Sequence, residues 1–177
     1  MIPQEDWNEI FPLPSAAEVK EFCMAASSGD VSQVTGFLNM FGVRIIDERD
    51  DIKARAITWA AFGGHTEVVA LLLEKGADIN AGGTYDKPAL SWAIEMDRFD
   101  TIRVLLAKGA SLDVNDNDGN TPVMIAERRN STQAQDIIEE HLENLREIEE
   151  RKQQQAEREA AVAQLAKVRK LKPPRRL

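Results

Sequence analysis

The chain has 177 residues, 43% hydrophobic and 29% charged, with a net charge of −8. That balance suits one globular domain with an appendage, neither a disordered tract nor a membrane protein. The longest unbroken apolar run, Val68–Leu73, falls far short of the roughly 20 residues of a membrane-spanning helix.

The N-terminus is acidic and shows no basic region followed by an apolar stretch. The single cysteine, Cys23, cannot close an internal disulfide. A cytoplasmic setting is therefore expected. Charge is uneven along the chain. Lys167–Leu177 holds six Lys or Arg and no acid, which leaves sixteen basic against thirty acidic residues, −14, on the other 166. An acidic body does not suit sequence-independent contact with phosphate. Nucleic acid or an acidic membrane is expected only through Lys167–Arg176, whose alternative is a plain solvated tail.

Residues 1–14 carry Trp7, Ile10, Phe11 and Leu13 among prolines. They are expected to pack on the first helical unit, or else to anchor a partner. Ser15-Ala-Ala-Glu18 reads as a capping box that opens a helix, and Asp30-Val-Ser-Gln33 as a second. Two short helices then recur. The first covers about 55–62 and again 88–95, with Ile57, Ala60 and Ala61 at helical spacing. Small alanines there allow close approach of a neighbour. The second covers about 66–75 and 100–108, with Val69, Leu72 and Leu73 on one stripe, closed by Gly76 or Gly109 at the left-handed position after a helix. Helices this short cannot bury a core alone, so the units must stack.

The period is 33 residues. It relates Trp59 to Trp92, Leu72 to Leu105, Lys75 to Lys108, Gly76 to Gly109, and Ala77 to Ala110. The same step takes Leu90 to Val123 and Ala93 to Ala126. Asp116-Asn-Asp-Gly-Asn-Thr-Pro-Val-Met-Ile-Ala, Gly64-His65-Thr-Glu-Val-Val and Leu71-Leu-Leu-Glu-Lys-Gly-Ala-Asp-Ile-Asn80 together resemble the ankyrin repeat family, strongly over about 52–138. A degenerate unit precedes them, with Gly29 standing where Gly64 does but 35 residues earlier. The resemblance implies an all-α fold: a helix-turn-helix solenoid of about four units at 15–50, 51–83, 84–116 and 117–145, the outer two acting as caps. Arg55-Ala-Ile-Thr58 and Pro88-Ala-Leu-Ser91 replace the family's Thr-Pro-Leu-His, so the turn hydrogen bonds are expected to be weaker in the middle units.

After the last unit, Asn130-Ser-Thr offers a cap, and no Gly or Pro follows until Pro173. A helix is expected over about 132–171, roughly 60 Å at 1.5 Å per residue. Ile137, Ile138, His141, Leu142, Leu145 and Ile148 form an apolar stripe expected to cap the last repeat. Residues 146–171 read as a charged extension and 172–177 as a basic Pro-containing tail. The stripe lapses through 149–161 and resumes weakly at Val162, Leu165 and Val168. This segment is either a solvated helix with surface pairs such as Glu147–Arg151 or an association helix.

No catalytic constellation emerges. His65 falls where an ankyrin histidine is structural, and His141 lies on the apolar stripe. No Cys/His metal spacing exists, and Gly82-Gly83 lacks the Lys-Ser/Thr of a phosphate loop. Asp113–Gly119 suggests a calcium loop, but with Gly119 sixth, the first and twelfth positions are Val114 and Ile125. A non-enzymatic role without cofactor is expected.

In ankyrin-like proteins, partners meet the turn tips and the exposed side of the first helices. The corresponding positions here include Phe62, Glu95, Met96, Arg128 and Arg129. Phe62 and Met96 are apolar where exposure is expected, which marks either a partner site or packing between units. The Trp59–Trp92 ladder reads as core. The tips Asp47–Asp51, Tyr85-Asp-Lys87 and Asn115–Asp118 are mostly acidic and favour a basic partner, with Tyr85, Lys87, Asp116 and Asp118 as contact residues. The expected role is an adaptor that holds another protein. The alternative is an assembly protein self-associating through the C-terminal helix, although a monomer is favoured.

Overall fold

A computed structural model describes residues 13–171, with side chains through Leu165. Of the N-terminal segment only Leu13 and Pro14 are described, and Leu13 is exposed. The rest of that segment and the basic cluster Lys167–Arg176 lie outside the described side chains.

All regular structure among the described residues is helical. The helices are α1 (Ala16–Ser28), α2 (Val31–Phe41), α3 (Ala56–Gly63), α4 (Thr66–Glu74), α5 (Ala89–Glu95), α6 (Phe99–Ala107), α7 (Pro122–Arg128) and α8 (Thr132–Leu171). Short 3-10 turns occupy Gly42–Ile45 and Thr84–Asp86. Compact packing divides the chain into two units, residues 1–138 and 139–177.

Within the first unit the helices form two rows. The first helices stack α1 on α3, α3 on α5 and α5 on α7, while α2, α4 and α6 stack behind them. Alanine makes the front row possible. Ala26, Ala60, Ala61, Ala93 and Ala126 are wholly buried, so no long side chain separates one helix from the next. Val68, Val69, Leu72, Ile102 and Leu105 fill the space between rows. Each buried aliphatic of this kind contributes about 1.5–3 kcal/mol.

Helix ends follow from local chemistry. Ser15 and Glu18 complete the expected capping box, and the Asp30 carboxylate accepts from Gln33 N. The first helices end on a residue in the left-handed region at Gly29, Gly64, Asp97 and Asn130, the last three 33 apart. Gly76 and Gly109 close α4 and the turn after α6 at φ 96° and 89°. In the middle units the helix starts differ, as expected from the lost Thr-Pro-Leu-His. Thr121 caps Met124 N at 3.2 Å in the last unit. Neither Arg55 nor Pro88 offers a side-chain cap. Thr58 compensates by accepting from Arg55 N and donating to Arg55 O, whereas the buried Ser91 hydroxyl has no partner.

Hydrogen bonds stitch each unit to the one before it. At the far end of the first helices, His65 Nε2 lies 2.8 Å from Ser27 O, Arg98 Nε donates to Phe62 O at 3.0 Å, and Ser131 Oγ donates to Asp97 Oδ1 at 2.7 Å. The three donors are 33 residues apart. Because Ser27 O can only accept, His65 carries its proton on Nε2. This is the structural role expected of His65.

Burial along α8 ends at Ile138, after Ala134 and Ile137. In the second unit, Leu142, Leu145 and Ile148 are exposed by 38, 47 and 46%. The helix continues to Leu171, and Arg151 pairs with Glu147 at 3.0 Å, as the spacing predicts.

Candidate functional site

The turn tips share one design. Asp50, Gly83 and Asp116 stand 33 apart, and each closes its tip through its backbone N–H, to Ala54 O, Lys87 O and Asn120 O. Asp50 Oδ1 also accepts from Ile52 N and Ala54 N, and Asp116 Oδ1 from Asp118 N and Asn120 N. Gly83 lacks that side chain, and a Cβ there would stand 2.8 Å from Thr58 Oγ1. Adjacent tips are joined as well. Thr84 Oγ1 donates to Ile52 O and Asn117 N to Tyr85 O, both at 3.0 Å.

Asp116 is thus 7% exposed and works inside its own turn, while Asp118 remains exposed. Burial raises the Asp116 carboxyl, but the N–H groups of Asn120 and Asp118, the Asn120 side chain and the Lys87 charge outweigh it. The net position is below the ordinary carboxylate value. Lys87, placed at a tip by the sequence, is 8% exposed. Its ammonium sits 4.5 Å above the Trp92 ring and bonds Glu95, which also faces Arg128 at 3.7 Å. A stem long enough to turn inward, with an aromatic face and a carboxylate to meet, explains this burial. Arg129 instead pairs with Asp97 at 3.1 Å. The Ser131 hydroxyl above all, with lesser help from Arg129 and Arg98, holds the Asp97 carboxyl below its usual value against the opposing effect of burial.

Below the tips of the second and third units lies a recess of about 270 Å³ lined by Ile52, Ala54, Thr58, Trp59, Phe62, Thr84, Tyr85 and Trp92. Phe62 sits between the two indoles, edge-to-face with Trp59 at 6.0 Å and with Trp92 at 5.6 Å. The tryptophans read from sequence as core are half-buried and face this recess. They fall one position before the buried Ala60 and Ala93, which turns them to the edge of the front row. Tyr85 is 66% exposed at its mouth. Tyr85 and Asp86 both hold positive φ, 59° and 55°, a conformation that costs a side chain of this size about 1–2 kcal/mol. Of the expected contact residues, Phe62 and Tyr85 therefore meet at one recess, and Lys87, Glu95 and Arg128 form a neighbouring ion cluster. Met96 is half-buried at the end of α5. Trp59, Trp92 and Ile52 were not singled out by the sequence as contacts. For Trp59 and Trp92 the signal is an aromatic at a repeat position that faces a tip.

A second recess of about 150 Å³ adjoins the first, sharing Ile52 and Trp59 and adding Lys20, Met24, Asp50 and Asp51. Trp59 Nε1 donates to Asp50 Oδ2 at 2.7 Å. Lys20 and Asp51 form an exposed pair at 3.1 Å that holds the Asp51 carboxyl below its usual value. Among the described residues no metal-binding cluster of His, Cys, Asp or Glu occurs, and no helix is long and apolar enough to cross a membrane.

Comparison with known proteins agrees with this architecture. The family model described as ankyrin repeats (3 copies) matches residues 22–116, more than half the chain. Among curated proteins, the chain is 35% identical over 80 residues to the E3 ubiquitin-protein ligase hecd-1 of Caenorhabditis elegans, covering 45% of this chain and 3% of that one. It is 32% identical over 89 residues to a transient receptor potential cation channel subfamily A member 1 homolog from the same species, covering 50% and 7%. It is 35% identical over 86 residues to the human ankyrin repeat and KH domain-containing protein 1, covering 44% and 3%. The chain thus spans only a small fraction of these relatives, and what aligns is the repeat. Ankyrin repeats are generally protein–protein interaction modules and typically non-enzymatic. The 33-residue period, the paired helix rows and the family match together show that this chain belongs to the ankyrin repeat proteins.

Proposed function

We propose that this chain is a non-catalytic adaptor that holds another protein against its turn tips and the exposed edge of its first-helix row. The observation that carries the reading is the recess at Trp59, Phe62 and Trp92 with Tyr85 at its mouth. Aromatic side chains grouped around a partly open apolar hollow are the usual anchors of protein interfaces. Exposed carboxylates at Asp47, Glu48, Asp51, Asp86, Asp113 and Asp118 surround the tips and favour a basic partner surface. Glu95, Met96, Arg128 and Arg129 extend the contact along the ends of α5 and α7. A cytoplasmic setting belongs to the same proposal, supported by a lone buried cysteine.

The test is affinity capture with the full chain and with a Phe62→Ala/Met96→Ala variant, scored on proteins retained by the first and lost by the second. The variant loses both edge-to-face contacts of Phe62, so its melt is expected to fall by roughly 4–12 °C, and capture is compared well below that midpoint, where it remains folded. Unchanged capture by the folded variant would sink this reading.

A second reading has its own support. Leu145, Ile148, Val162 and Leu165 are exposed by 47, 46, 65 and 69% on a helix of 40 residues. These aliphatics support self-association through α8. Sedimentation of the full chain across a hundredfold concentration range tests it, and a single monomer throughout would exclude it.

A further inference from the structure

The two adjoining recesses differ in chemistry, and this difference specifies a ligand. One is apolar, between the first helices of units two and three. The other, between units one and two, holds Asp50 and Asp51. Trp59 is the wall between them. Its ring meets Phe62 on one side and its Nε1–H binds the Asp50 carboxylate on the other.

Asp50 is fixed in place by neutral donors, the N–H groups of Ile52 and Ala54 at 3.1 and 2.8 Å and the indole at 2.7 Å. These hold the carboxylate without compensating its charge. Asp51 is paired with Lys20, but both are more than half exposed, and such pairs hold weakly. A cation entering this recess therefore meets two carboxylates and one lysine: Asp50, held by neutral donors, and Asp51, which it can share with Lys20.

The recesses lie over successive gaps of the front row, one between α1 and α3 and one between α3 and α5. Packed helices stand about 8–10 Å apart. A polyproline-II segment advances about 3.1 Å per residue with three residues per turn, so side chains i and i+3 lie on the same side roughly 9 Å apart. A β-strand puts i and i+3 on opposite sides. An aromatic-lined hollow is also the surface on which a preformed proline-rich helix docks with least loss of freedom.

We propose that the two recesses form a single groove for a polyproline-II segment of a partner protein, with a Pro or Leu side chain between Trp59 and Trp92 over Phe62, and an Arg or Lys three residues away at Asp50 and Asp51. This rests on the reading that partners bind at the first-helix edge, and it specifies the partner's local chemistry. The period of the solenoid and the period of the ligand helix match, which makes the groove selective for spacing as well as for composition.

The probe is a set of synthetic proline-rich peptides titrated calorimetrically into the full chain. The parent carries one Leu with Arg at both i+3 and i−3, so that it fits in either chain direction. Expected effects are about tenfold weaker binding when Leu becomes Ser, and about tenfold weaker binding when both Arg move to i+2 and i−2 at unchanged net charge. The indole N–H resonances of Trp59 and Trp92 are both expected to shift on binding. Asp51→Asn is expected to reduce affinity severalfold and to flatten its salt dependence.

Equal binding of the i+3 and i+2 peptides would overturn the proposal, as would binding that favours Arg at i+7, the spacing of an α-helical ligand. Absence of binding at a parent concentration of about 1 mM would also overturn it. In each of these cases the capture experiment still reports independently on protein binding at this face, so the two failures are distinguishable.

Discussion

Gly63→Ala sets two effects of known size against each other. Gly63 ends α3, where alanine is the better helix former by at most about 1 kcal/mol. On that basis alone the variant would be more stable. However, a Cβ at 63 would stand 2.4 Å from His65 Cδ2 and 2.5 Å from Nε2. The ring cannot swing aside freely, because Nε2 is bonded to Ser27 O and the other side of the ring lies against Gly29, whose own Cβ would be 2.5 Å from Nδ1. Forced repacking costs about 1–3 kcal/mol, and loss of the hydrogen bond adds about 1 kcal/mol. The net expectation is destabilisation by about 1–3 kcal/mol, a fall in Tm of roughly 4–12 °C for a repeat body of this size. Circular dichroism melts and urea titrations measure it. The decisive comparison is a double-mutant cycle with His65→Ala, in which the ring is gone and Gly63→Ala should become neutral or stabilising. A coupling of about 2 kcal/mol is expected. If Gly63→Ala is not destabilising in the parent, or changes stability equally with and without the ring, the wedge account is wrong.

Other outcomes follow from groups described above. Ser91→Ala removes a buried hydroxyl without a partner inside α5, so it is expected to raise stability by up to about 1 kcal/mol in urea titration. Burial, followed by the charges of Asp50 and Asp51, pushes the Cys23 thiol up to about 12. Alkylation by iodoacetamide at neutral pH should therefore be slow in the folded chain and track its unfolding, and rapid labelling under native conditions would contradict this. The Asp97 and Asp116 carboxyls are both held below their ordinary values. A depressed carboxyl stabilises the fold above its unfolded value and loses that contribution as pH falls through the folded one. Urea midpoints should therefore drop as pH falls below about 4, and less steeply in Asp97→Asn.

Much of the frame is legible in the sequence because it rests on local rules repeated every 33 residues. Helix boundaries in the middle units follow from an alanine pair, a leucine stripe and a closing glycine, and the observed α3–α6 fall within about a residue or two of those expected. The capping box at Ser15 follows from the same local logic, whereas the structural role of His65 is legible only through the family resemblance, since its partner Ser27 O lies in the preceding unit. What escaped is the direction in which individual side chains point. Trp59 and Trp92 keep the period as well as any core residue does. Only the stacked helices show that the position before a buried alanine turns toward the tips. Lys87 sits in a turn of polar residues and gives no local sign of being buried, since its partners Trp92 and Glu95 are supplied by the helix that follows. Asp116 looks like an exposed acid until the two N–H groups it accepts are placed around it.

The backward-reaching hydrogen bonds of His65, Arg98 and Ser131, with the tip bonds of Thr84 and Asn117, also set a rule for how such a chain can change length. Each donor finds its acceptor one unit upstream, so a spliced-in copy of residues 51–83 would bring both halves of the helix-end junction, the His65 donor and the Phe62 carbonyl. An insert of another length placed within a unit would shift donors off acceptors at both rows of contacts at once. The array therefore grows or shrinks in whole units, and each added unit would lengthen the front surface by one step of about 9 Å.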